Sequence, residues 1–88
     1  MTSTYRQRSN TAGRVINGLA FVITPDSNRL HTLNATAAEI WRLAKSGCTV
    51  DEAAAHLEEN YRVDYEAARR DAATCCDELV NRGILVVE

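Results

Sequence analysis

Residues 29–43 read RLHTLNATAAEIWRL, and the stretch changes character at its middle. Arg29–Leu33 looks like a short extended strand, whereas Ala37, Ile40, Trp41 and Leu43-Ala44 recur at the three- and four-residue spacing of one helical face. Between them, Thr36-Ala37-Ala38-Glu39 has the spacing of a capping box, in which a hydroxyl and a carboxylate each accept from the other residue's backbone N–H. Asn34 competes as the cap two residues earlier. A strand that runs straight into a helix divides the chain into a small sheet before it and helices that cover that sheet after it.

Upstream, Val15-Ile16 and Leu19–Ile23 flank Asn17-Gly18. That dipeptide supplies the two positive φ angles of a type I′ turn, so a tight hairpin is expected. Pro25-Asp26-Ser27-Asn28 marks a second turn, because proline fixes φ and short polar side chains bond the turn backbone. The strand Arg29–Leu33 then becomes the third of a meander and is expected at its edge. Residues 1–10 carry Arg6 and Arg8 but no pattern, and read as a flexible tail, leaving residues 11–88 as a single domain.

Downstream, Ser46-Gly47 ends the first helix, and Thr49-Val50-Asp51-Glu52 repeats the capping box. The second helix turns Val50, Ala53, Ala54 and Leu57 inward and stops near Asn60-Tyr61. Asp64 caps a third helix, with Glu66 favourably placed in its first turn and Ala68, Ala72, Cys75 and Leu79 at core spacing. That helix runs to about Arg82, where Gly83 suits a left-handed terminus. Ile84–Val87 is either a closing strand or an apolar tail. The fold class is α+β: a three-stranded antiparallel N-terminal sheet packed on three α-helices.

Size and charge narrow the function. A chain of 88 residues with 45% hydrophobic content supports one core but little enclosed volume for an active site. The net charge of −2 lacks the positive field of a nucleic-acid binder, and no apolar run reaches the roughly 20 residues of a membrane span. Three cysteines, two of them adjacent, do not form a disulfide framework and suit a reducing cytoplasm. His31 and His56 lack partners at ligand spacing, so neither a metal nor a cofactor is expected. No acid, base or nucleophile constellation stands out, and the chain reads as not an enzyme.

Taken together, Leu33-Asn34-Ala35-Thr36-Ala37-Ala38-Glu39-Ile40-Trp41, Cys48–Glu52, Tyr61 with Val63-Asp64, and Glu78-Leu79 with Arg82–Leu85 resemble the PqqD-like family, the coenzyme PQQ synthesis protein D superfamily or RiPP recognition elements. The resemblance spans roughly residues 13–87. It implies a winged-helix-like fold without catalytic residues, holding the leader region of a ribosomally made precursor peptide for a modifying enzyme, a radical SAM enzyme being the expected partner. Two departures stand out. Asp64-Tyr65 replaces the usual Asp-Pro, and the third helix carries Ala72, Ala73, Cys75 and Cys76 where large apolar residues are common, so that either the core is repacked or a shallow groove is left.

The resemblance places the leader along the third strand, with contacts from Arg29, Leu30, His31, Thr32 and Leu33 and from a helical stripe of Arg69, Ala72, Ala73, Cys76 and Val80. Each of these has a plainer reading. Cys75 and Cys76 serve equally as small buried hydrophobes, Arg69-Arg70 as a solvated face, and Arg42 and Lys45 as cations at a helix C-terminus. Trp41 reads as core. The alternative function is a winged-helix DNA-binding or other interaction module. For DNA the third helix offers Arg69, Arg70 and Arg82 against Asp64, Glu66, Asp71, Asp77 and Glu78, the wrong balance. An open strand edge also admits a second copy, so a homodimer is an expected partner state.

Overall fold

The computed structural model describes residues 2–88. The elements run β1 (Tyr5–Gln7), β2 (Ala12–Ile16), β3 (Leu19–Thr24), β4 (Arg29–Leu33), α1 (Ala35–Leu43), α2 (Val50–Tyr61), α3 (Tyr65–Asn81) and β5 (Leu85–Val87). The expected meander is the antiparallel sheet β2-β3-β4, with Ile16 opposite Leu19 across the first turn and Thr24 opposite Arg29 across the second. Asn17 and Gly18 take φ of 52° and 81°, as the tight turn requires.

The period of two sorts the sheet into faces. Ala20, Val22 and Thr24 of β3 are buried, and their partners Leu33 and His31 on β4 and Val15 and Gly13 on β2 share that helix-facing side. Leu19 and Ile23 point the other way, with Ile16 and Leu30 beside them, and all four are exposed. The sheet is therefore apolar on both sides, and α1, α2 and α3 cover only one.

The helices begin where short polar side chains can accept an orphan N–H. Asn34 caps α1 by accepting from Ala37 N at 2.9 Å, so the competing Thr36 box is not the one used. Thr49 and Glu52 form the reciprocal box of α2, and Asp64 caps α3 by accepting from Ala67 N. Arg62 ends α2 in the left-handed conformation, at φ 54°. The core gathers Ala20, Val22, Leu33, Ile40, Trp41, Leu57, Leu79, Ile84 and Leu85 around small residues, Ala53, Ala54, Ala68, Ala72 and Cys76, all buried. These small side chains let α2 and α3 approach closely, which accounts for part of the departure seen in α3: Ala72 and Cys76 fill the core, whereas Ala73 and Cys75 are only partly buried.

The N-terminus departs from expectation. Residues 5–7, read as part of a flexible tail, form β1 and pair antiparallel with β5, Tyr5 opposite Val87 and Gln7 opposite Leu85. Tyr5 also exchanges both backbone hydrogen bonds with Cys48, at 2.7 and 2.9 Å, and its ring is buried. Gln7 donates from its side chain to the Trp41 carbonyl at 2.8 Å. Long-range pairing, invisible in local composition, holds this segment; the same pairing makes Leu85–Val87 a strand.

Candidate functional site

β4 lies at one edge of its sheet. Its only strand partner is β3, and among the described residues no other backbone group bonds to residues 29–33. About half of its peptide groups therefore face outward, open to another strand. Beside this edge runs α3, and between them two connected clefts of about 470 Å³ each form a continuous groove that shares Thr32 and Arg82.

The upper half of the groove is lined by Leu33, Thr36 and Ala37 on one side and by Asp71, Thr74, Cys75, Glu78 and Leu79 on the other. The lower half is lined by Arg29, Leu30, His31, Asn81 and Arg82. The groove thus has an electrostatic direction. Arg29 and Arg82 make one end basic, while Asp71 lies toward the other; Glu78 pairs with Arg82 between them. Burial, then the charges of Arg29 and Arg82, hold the His31 imidazole below its usual 6.5, so the ring is neutral at physiological pH. Its Nε2 lies 3.4 Å from Thr24 Oγ1.

All five β4 residues expected to contact a peptide, Arg29, Leu30, His31, Thr32 and Leu33, border this groove. The five expected from α3 do not. Ala72 and Cys76 are 0% exposed and belong to the core; Val80 packs against that core. Arg69 turns to α2 and donates to Asp51 at 2.8 Å, and Ala73 is half-buried outside the lining. The groove-facing side of α3 is Asp71, Thr74, Cys75, Glu78 and Arg82, roughly 160° round the helix from the expected stripe and so on nearly its opposite side. Cys75 and Cys76 exchange roles for the same reason: Cys76 is in the core, and Cys75 faces the groove.

Neither thiol is activated. Burial, reinforced by Glu78 and opposed by Arg82, pushes Cys75 up to about 11. Burial followed by Cys48, Cys75 and Asp77 takes Cys76 to about 12. Both remain protonated and behave as small apolar groups. Among the described residues no three His, Cys, Asp or Glu side chains are grouped to hold a metal, and no helix is long and apolar enough to cross a membrane.

The family model for coenzyme PQQ synthesis protein D (PqqD) matches residues 20–85, from the central strand to the start of the last one. The chain belongs to this family. No curated protein matches the sequence. Two solved structures share the fold. TbiB1 in complex with the TbiA(beta) leader peptide superposes with a TM-score of 0.82 at 20% identity, covering 91% of this chain and 93% of that one. Lasso peptide synthetase B1 complexed with the leader peptide gives 0.80 at 24% identity, covering 93% and 96%.

Proposed function

We propose that the protein is a RiPP recognition element, which captures the leader region of a ribosomally synthesised precursor peptide as an added strand on β4 and presents it to a modifying enzyme, such as a radical SAM enzyme. The observation that carries this reading is the open β4 edge lying beside clefts that residues 29–33 line along the whole strand. Membership of the PqqD family and likeness to two proteins whose structures hold leader peptides support it.

In this reading the leader's main chain bonds to the outward peptide groups of residues 29–33, and its alternate side chains enter the groove against Leu33, Cys75 and Leu79. Each added hydrogen bond contributes roughly 0.5–1.5 kcal/mol net, and each buried apolar side chain about 1.5–3 kcal/mol. After the cost of ordering a disordered peptide, a Kd of about 1 µM follows. The groove selects an apolar residue near Leu79 and an acidic one near Arg29 and Arg82. In this reading the protein is non-catalytic: its groove offers the hydroxyls of Thr32, Thr36 and Thr74, the Arg82–Glu78 ion pair and a single protonated thiol, Cys75. Three thiols suit work in a reducing cytoplasm. A second copy would dock on the same edge, so self-association and leader binding compete.

The experiment is a calorimetric titration with a synthetic leader, with a version N-methylated at alternate backbone nitrogens, and with a scrambled peptide. Loss of binding on N-methylation supports strand addition. Equal binding of all three peptides would refute it.

A further inference from the structure

A second cleft, of about 620 Å³, lies at the opposite edge of the sheet, where β2, α1 and α2 meet, and the leader reading makes no use of it. Two features distinguish it. Trp41, 8% exposed, and Thr11 both line it, and each carries a buried polar group, the indole Nε1–H and the threonine hydroxyl, that finds no hydrogen-bond partner among the described residues. A buried donor left unpaired is destabilising, and an incoming acceptor would relieve that cost. The cleft is also cationic in a chain whose net charge is −2: Arg14, Arg42 and Lys45 line it against Glu39 alone. Arg42 and His56 are already engaged by Glu39, at 3.1 and 2.9 Å. Arg14 and Lys45 take part in no ion pair among the described residues. Like β4, β2 is an edge strand with open backbone groups.

We infer that this cleft is a docking site for an acidic, extended segment of a partner polypeptide, separate from the leader groove. Arg14 and Lys45 receive its carboxylates, the Trp41 and Thr11 donors gain an acceptor, and the edge of β2 bonds its main chain. The charge complementarity and the open strand together favour a polypeptide over a free anion. Because β2 and β4 are opposite edges of one sheet, both sites can be filled at once. The inference does not depend on the leader reading.

Trp41 is the chain's single tryptophan and Lys45 its single lysine, so both give unambiguous signals. The test is an NMR titration of the ¹⁵N-labelled full chain with an acetylated peptide alternating glutamate and valine, with its glutamine counterpart, and with N-acetylglutamate. The Trp41 indole N–H peak should move saturably with the acidic peptide. About fivefold or greater weakening is expected with the glutamine peptide and in the Arg14→Gln/Lys45→Gln double variant, the size of one or two screened charge pairs. An indole peak that stays still, or that moves equally in the double variant, overturns the proposal. So does N-acetylglutamate acting as well as the peptide, which would make the cleft a small-anion site. Movement of the Leu30–Leu33 amides instead of the indole would assign the peptide to the groove and also refute it.

Discussion

The indole of Trp41 lies so close over Gly13 that a Cβ at position 13 would stand 2.6 Å from both Cζ2 and Cη2. Glycine is needed there for contact, since its backbone is ordinary extended strand. Gly13→Ala forces the ring or β2 to shift, and overpacking of this kind costs about 1–3 kcal/mol. A urea unfolding curve should show a lower midpoint with an unchanged slope.

Tyr5 ties the N-terminal strand to both Cys48 and β5, so the first residues contribute to stability. Tyr5→Ala removes a buried aromatic side chain and should destabilise by about 3 kcal/mol. Deleting residues 1–8 should have at least that effect in thermal melts. A loosely attached tail would leave the melt unchanged.

The two faces of α3 separate binding from folding. Thr74 is exposed in the groove, so Thr74→Glu should weaken leader binding about tenfold through charge and bulk while stability stays within about 0.5 kcal/mol. Cys76→Asp places a carboxylate in the core at a position 0% exposed and should unfold the chain. Circular dichroism and a titration on the same samples distinguish the two outcomes.

His31 predicts a pH dependence with a definite sign. Its folded value lies below 6.5, so its contribution to stability is full above pH 6.5 and falls away as pH drops through the lower folded value. An acidic leader residue near Arg29 and Arg82 favours the protonated ring. Leader affinity should therefore rise as pH falls below 6.5, and His31→Gln should flatten the profile. Titrations at two pH values on each side of the transition check this.

The raised thiols predict slow alkylation. Cys75, at about 11 and half-buried, should react with N-ethylmaleimide far more slowly than an exposed thiol, yet faster than the buried Cys48 and Cys76. Because it lines the groove, bound leader should slow it further. Mass spectrometry of timed samples reads all three sites.

Much of this architecture is written in local chemistry. Asn17-Gly18 specifies its turn, and Thr49 and Asp64 specify helix starts, because each acts on backbone within a few residues. β1 was not legible, since Tyr5-Arg6-Gln7 has no pattern and is held by β5 and Cys48 from distant parts of the chain. The facing of α3 is ambiguous in the sequence for a different reason. Ala72-Ala73 and Cys75-Cys76 are adjacent residues of equal hydrophobicity, so helical period alone does not say which member of each pair is inside. The polar neighbours Thr74, Glu78 and Arg82, spaced by four, carried the better signal for the groove-facing side.

On the proposed reading, β4 accepts the leader as a strand. Amide hydrogen exchange of residues 29–33, with and without a saturating leader peptide, tests it most directly. Added main-chain hydrogen bonds should slow the outward-facing amides of this segment at least about tenfold, with β2 unchanged. Unaltered exchange in β4 while the leader is demonstrably bound would contradict the account.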